Sequence, residues 1–350
     1  MINDSGILII NKKNLIHNYN FFKKLKSKLI VAPTIKANAY GLGDKKIFKL
    51  LIKEGCRNFF VATLQEGLRL KNNDRNIKIY ILNGIQNYNI DIFYKKNLIP
   101  IVNSLDEYLR IKDTKIKFGI HIDTGINRLG IPNNQIRKLD LKNKNIKIII
   151  SHLSSSDEHK NNYNIKQKMN FNKIVKKLDK KIIFSLANAH GAILNKSYLN
   201  NMIRPGIGIY GCFENKILEK KIKNVIKFRG KIIQIKIIKK NQYVGYNRTY
   251  KTKNNIKAAI IGVGYADGIP RSLSNKGFVY FKKDKFKIIG RISMDSFTID
   301  ITKSNHNLKV GMFIDIINDE HKIDKFAKLC KTISYEVLTS IGNRVYREYE

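Results

Sequence analysis

Lys36 closes the apolar run LIVAPTIK (29–36) and is followed at once by ANAYGLG, so a lone cation stands where a buried strand gives way to a loop. An amine in that position can add to an aldehyde once partial burial among other charges strips its proton. Taken alone, such a lysine reads first as a structural or charge-binding group, with amine chemistry as the second reading. Other apolar runs end in the same way. Thr63, Asn83, Asn103, Asp123, His152 and Asn188 each close one, and Arg204 lies in the last. Any strand leads into a polar loop, so no single one of these residues is informative. Lys, Asp, His and Arg gathered at one end of a set of strands would make a chemical site.

The elements that would gather them are legible as a rhythm. Apolar runs at 29–36, 58–63, 77–83, 98–103, 117–123, 146–152, 182–188 and 203–211 alternate with helix-like stretches such as KKIFKLLIKEG and NFNKIVKKLDK. Apolar runs without alternation are what parallel strands look like when both faces are covered. About eight such units over about 200 residues predict a (β/α)8 barrel, whose active site lies at the C-terminal ends of its strands. Beyond about residue 215 the period changes. FRGKIIQIKIIKK alternates, and the segments around GVGYADG and GRISMDSF are β-rich with glycine turns, which predicts a separate, mainly antiparallel β domain. The expected division is a barrel over 1–215 and a β domain over 216–350.

Composition narrows the function classes. The formal net charge is +40, which by itself suggests a polyanionic partner. Lysine is spread through the whole chain with asparagine and isoleucine, however, and no basic stripe, zinc-finger spacing or stacking-aromatic motif stands out, so specific nucleic-acid binding is not expected. Cys56, Cys212 and Cys330 are odd in number and far apart, which argues against a disulfide framework or a structural metal and for a reducing compartment. The N-terminal apolar run is too short for a secretory signal, and no stretch approaches the ~18 apolar residues of a membrane span. The expectation is a cytoplasmic protein without metal or membrane.

Nine stretches carry a resemblance. TIKANAYGLG, HIDTGINRLG (121–130), SHLSSSDE (151–158), SLANAHG (185–191), MIRPGIGIYG (202–211), VGYNRTY (244–250), GVGYADGIPR (262–271), GRISMDSF (290–297) and ISYEV (333–337) occur in this order and span nearly the whole chain. Together they resemble the alanine racemases, which use pyridoxal 5′-phosphate (PLP). The resemblance implies the barrel-plus-β fold and L-/D-alanine interconversion that supplies D-alanine for peptidoglycan. It also implies a homodimer whose active sites are shared between subunits. A related racemase of broader or serine specificity is the alternative, as is a non-catalytic PLP-binding protein.

The same resemblance assigns roles. Lys36 would hold PLP and act as one acid/base, and Tyr246, from the partner subunit, as the other. Tyr40, Tyr335, Asn188 and the backbone of Gly206 and Ile207 would hold the cofactor, chiefly at its phosphate. Arg204 would face the pyridine nitrogen and leave it unprotonated, and His152 would lie against the ring. Arg128 would bind the substrate carboxylate, Met294 would offer a backbone donor, and Tyr265 would narrow the entrance together with Tyr335. Two positions depart from the pattern. Many members carry a carbamylated lysine where His121 stands here, so whatever holds Arg128 must differ, and an anion such as chloride or a neighbouring side chain could substitute. Ala189 replaces a serine that often follows the asparagine, which removes one phosphate hydrogen bond.

Overall fold

A computed structural model describes residues 5–70, 74–176, 178–213 and 216–350. The chain divides into two compact units, one formed by 15–223 and the other by 1–14 with 224–350. The expected boundary at 215/216 falls beside residues 214 and 215, which lie outside the described residues.

The first strand, β1 (Gly6–Ile10), joins the second unit, pairing antiparallel with one later strand and parallel with the last. Strands β2 (Ile30–Val31), β3 (Asn58–Val61), β4 (Lys78–Ile81), β5 (Leu98–Val102) and β6 (Phe118–Asp123) follow in the first unit. After them come a two-residue strand β7 (Ile131–Pro132), then β8 (Ile146–Ile150), β9 (Ile183–Ser185) and β10 (Met202–Ile203). Parallel pairing runs β3-β4-β5-β6-β8-β9, and β10 pairs parallel with β2. Two links close the ring. Thr34 bridges to Phe60, with Ile35 N–H donating to Phe60 O at 2.8 Å. Arg204 N–H donates to Ala187 O at 2.9 Å. The result is the (β/α)8 barrel that the apolar runs predict.

Alternate residues point inward, and Ala32, Phe60, Tyr80, Ile99, Ile101, Ile148, Ile150 and Met202 fill the interior as one buried cluster. At that level β6 contributes Gly119, where a Cβ would collide with Ile101 and Ile148. Two residues further along each strand, toward its C-terminal end, the inward series reaches Asn103, His121, His152 and Arg204. The apolar filling thus turns polar within one layer, and that layer is the floor of the barrel mouth.

Two expected strands are much shorter than their apolar runs. In 29–36, Pro33 cannot donate to a ladder, and regular pairing stops at Val31. In 203–211, Pro205, Gly206 and Gly208 break the strand after Ile203, and 207–211 form a turn.

The second unit is a mainly antiparallel sheet, as expected. It contains β11 (Ile226–Ile238), the short hairpin β12 (Tyr243–Val244) and β13 (Tyr250–Lys251), β14 (Ile256–Ile261), β15 (Phe278–Phe281), β16 (Asp284–Ile289), β17 (Phe297–Asp300), β18 (Phe313–Ile317) and β19 (Tyr346–Tyr349). The long β11 pairs with both β18 and β14, which curls the sheet upon itself, and β1 and β19 extend it beyond β11.

Candidate active site

Immediately after Lys36 the backbone enters an unusual conformation. Ala37, Asn38, Ala39 and Tyr40 all have positive φ, between 50° and 56°, and form one turn of left-handed helix. For non-glycine residues this costs roughly 1–2 kcal/mol each, so surrounding contacts must impose it. The Glu66 carboxylate accepts from Ala37 N–H at 2.6 Å with one oxygen and from Ala62 N–H at 2.7 Å and Thr63 N–H at 3.2 Å with the other. Asn38 Oδ1 accepts from Asp44 N–H at 2.9 Å, and Asp44 in turn binds Arg69. Strain of this kind gathers where geometry serves function. Here it brings Lys36 and Tyr40 round to the barrel mouth. The Tyr40 hydroxyl lies over Gly206, where any Cβ would collide with it, and its ring rests on Tyr210 at 4.8 Å between centroids.

The floor of the mouth is cationic. Arg204, only 5% exposed, donates to Ser185 O at 2.7 Å, Ser185 Oγ at 2.6 Å and Ser151 O at 2.5 Å. Burial pushes its guanidinium down to about 9, still charged at neutral pH. Phe60 lies beneath it, 5.7 Å from ring centroid to Cζ. Partial burial, and then the positive charge of Arg128, lower the Lys36 ammonium below its ordinary value, while Glu66 acts in the opposite direction. Burial, Arg204 and Arg128 together push His121 down to about 3 and hold His152 well below the usual histidine range. Both imidazoles are therefore neutral, and the Lys36 ammonium holds its proton less firmly than an ordinary lysine.

Beside Tyr40, the amides of Gly206, Ile207 and Gly208 donate to no protein acceptor among the described residues. Three adjacent free N–H groups fit an anion such as a phosphate. Ala189 Cβ sits against Gly208, so the missing serine hydroxyl would have lain beside this cradle. Asn188 Oδ1 is already used by Ser156 Oγ at 3.0 Å and Gly191 N–H at 2.8 Å. Arg128 is exposed on the loop after β6, whose start is fixed by Asp123 Oδ1 accepting from the amides of Gly125, Ile126 and Asn127.

The remaining candidates lie in the second unit. Tyr246, Tyr265 and Met294 line one cavity of about 610 Å3 with Arg271 and Asp295. Tyr246 is 67% exposed, on a turn where Gly245 and Asn247 have positive φ. Arg344 clamps the cavity wall by binding both Asp267 and Asp295. Met294 O accepts from Ala266 N–H at 3.1 Å, whereas Met294 N–H has no acceptor among the described residues. Tyr335 stands in the helix Ser334–Ser340 and is not among the lining residues of that cavity.

Family models of the alanine racemase N-terminal and C-terminal domains match residues 10–213 and 225–349. An alanine racemase of Rickettsia canadensis is 35% identical over 355 residues, 98% of each chain. The chain belongs to the alanine racemase family. Another member, from Brucella abortus, is 35% identical over 98% of this chain and 93% of its own length. The crystal structure of the alanine racemase from Bartonella henselae, with covalently bound pyridoxal phosphate, superposes with a TM-score of 0.93 at 32% identity, covering 99% of this chain and all of that one.

The racemase motifs single out Lys36, Tyr40 and Arg204 but not Glu66, whose carboxylate holds the turn between Lys36 and Tyr40. A signal for it was present. Thr63-Leu-Gln-Glu66 is a capping box at the start of the helix Leu64–Arg69. What the motif does not disclose is that the same carboxylate reaches across to Ala37.

Proposed function

We propose that this chain interconverts L-alanine and D-alanine with PLP held on Lys36, in the cytoplasm, and supplies D-alanine for peptidoglycan. The observation that carries the reading is Lys36 itself, a lysine of lowered basicity delivered to the barrel mouth on a left-handed turn, beside a row of backbone donors that no protein acceptor engages among the described residues. The residues fit the cofactor. Tyr40 and the amides of Gly206 and Ile207 take its phosphate, Asn188 steadies the neighbouring loop, and His152 lies against its ring. Once bound, PLP spreads the negative charge that develops when the substrate loses its Cα proton. Arg204 is held by three acceptors and keeps its own proton, so it donates to the ring nitrogen and gives it none. Arg128 binds the substrate carboxylate as a cationic fork. Lys36 Nζ exchanges a proton on one face of Cα and the Tyr246 hydroxyl on the other, so the substrate need not turn over. Tyr265, Met294 and Tyr335 border the entrance, with Met294 N–H as a further donor.

In this reading the working form is a homodimer that takes Tyr246 from the partner's β domain, together with Tyr265 and Met294 of the same cavity, while Tyr335 joins Tyr40 at the phosphate. The functional division is a PLP barrel within 1–215, apart from the β1 strand that pairs into the second unit, and a β domain over 216–350. Cys56, Cys212 and Cys330 are buried and outside any disulfide among the described residues, which agrees with a reducing compartment. Subunit mixing tests the shared site. Lys36→Ala and Tyr246→Phe are each expected to be nearly inactive. Unfolded together in equal amounts and reassembled, they form about half mixed dimers, each with one intact site, so roughly a quarter of wild-type activity returns. No recovery, with subunit exchange verified by differential tagging, would mean that both groups serve one site within a chain.

A further inference from the structure

His121 is 5% exposed, and its Nε2 is buried without a partner. Its other nitrogen is fixed. Nδ1 lies 3.0 Å from Asn103 Oδ1. The orientation of the Asn103 amide is decided by its own NH2 group, which donates to Leu82 O at 2.9 Å and Ile101 O at 2.8 Å. The atom facing His121 is therefore an acceptor, and Nδ1 must carry the proton. Burial and two neighbouring guanidinium groups keep the ring neutral. It follows that Nε2 presents a bare lone pair. A lone pair attracts a donor and repels an anion.

The nearby donors are few. Arg204 is engaged by Ser185 and Ser151. Arg128 makes no hydrogen bond or ion pair among the described residues and is exposed. Its loop does not run away from the barrel. β7 pairs in parallel with the end of β6, Ile131 beside Ile122 and Pro132 beside Asp123, so 124–130 folds back over the strand end that carries His121. Arg128, three residues before Ile131, stands on that returning segment, and its positive charge acts on both His121 and Lys36.

We propose that His121 is a positioning residue for Arg128, its Nε2 accepting a guanidinium N–H while the other N–H groups of Arg128 take the substrate carboxylate. This rests on Arg128 as the carboxylate-binding residue and goes one step further. Where many relatives are expected to place a carbamate, this chain uses a neutral acceptor whose tautomer is set by Asn103, and no anion sits between imidazole and arginine.

The test uses the holoenzyme and three variants. An asparagine at 121 reproduces the Nδ1 contact but ends short of Nε2, whereas a glutamine places an amide oxygen near the Nε2 position. His121→Asn should raise the KM for alanine about tenfold with kcat within about twofold, and His121→Gln should recover most of that loss. Exchanging chloride for gluconate should leave the wild-type KM unchanged. A second readout needs no turnover. With propionate as a carboxylate probe, the Nε2 resonance of 15N-labelled His121 should differ between wild type and Arg128→Ala. Arg128→Ala also separates two kinds of failure. If it leaves KM unchanged, the reading of Arg128 falls and this proposal falls with it. If it raises KM but His121→Asn does not, or if wild-type KM depends on chloride, or if Nε2 does not sense Arg128, the proposal alone is overturned.

Discussion

Replacing Arg204 by glutamate would put a carboxylate where three acceptors already converge. The guanidinium is buried and donates to Ser185 O, Ser185 Oγ and Ser151 O at 2.5–2.7 Å, with no carboxylate among those partners. Hydrogen bonds from a charged donor contribute roughly 1.5–3 kcal/mol each. An ionised glutamate makes at most the one to the serine hydroxyl and faces two carbonyl oxygens with a negative charge. Losing two or three such bonds costs about 5 kcal/mol, a large part of the roughly 5–15 kcal/mol that holds a domain folded. Arg204→Gln keeps an NH2 donor for the carbonyls and should cost about 1–3 kcal/mol. The assay is urea unfolding of cofactor-free protein followed by circular dichroism, at pH 8 and pH 5. The expected order of midpoints is wild type, then Gln, then Glu well below. The Glu variant should recover part of its loss at the lower pH, where a protonated carboxyl can donate to one carbonyl. A Glu variant as stable as wild type would refute this account of how the barrel floor holds Arg204. It follows that Arg204→Gln is the better variant for asking what the guanidinium does for chemistry.

Two further outcomes are expected. Glu66→Ala strands the amides of Ala37, Ala62 and Thr63 and releases the left-handed turn. Thermal unfolding should show a loss of about 1–3 kcal/mol, and amide exchange at 37–41 should quicken, whereas unchanged exchange there would deny Glu66 its clamp. The apoprotein should weaken in acid. His121 has a folded value of about 3 against the ordinary 6.5, so the unfolded chain binds a proton that the folded one refuses. Its contribution is fully present above about 6.5 and is lost as pH falls from there toward about 3. Urea midpoints at pH 7 and pH 5 should drop less in His121→Asn than in wild type, and equal drops would place the acid sensitivity elsewhere.

The barrel was legible because its strands are buried on both faces, and continuous apolar runs record that burial directly. Their polar ends marked the mouth, and Lys36, His152 and Arg204 all stand there in the structure. Three things were not legible. The assignment of β1 to the second sheet depends on pairing with strands more than 200 residues away, and GILII is apolar whichever sheet receives it. The left-handed turn is written in two alanines, an asparagine and a tyrosine, of which only Asn38 tolerates that hand readily, so the contacts of Glu66 and Asn38 were needed to explain it. Finally, a histidine at the carbamate position discloses neither its tautomer nor its empty lone pair. Those depend on the amide orientation of Asn103, one strand away.

The central claim is that Lys36, and no other lysine in this lysine-rich chain, holds the cofactor. Purified protein supplied with PLP, reduced with borohydride and digested should yield one pyridoxyl-modified peptide with the adduct on Lys36, and Lys36→Ala should yield none. An adduct mapped to a different lysine, or no adduct at all after PLP has been supplied, would contradict the account.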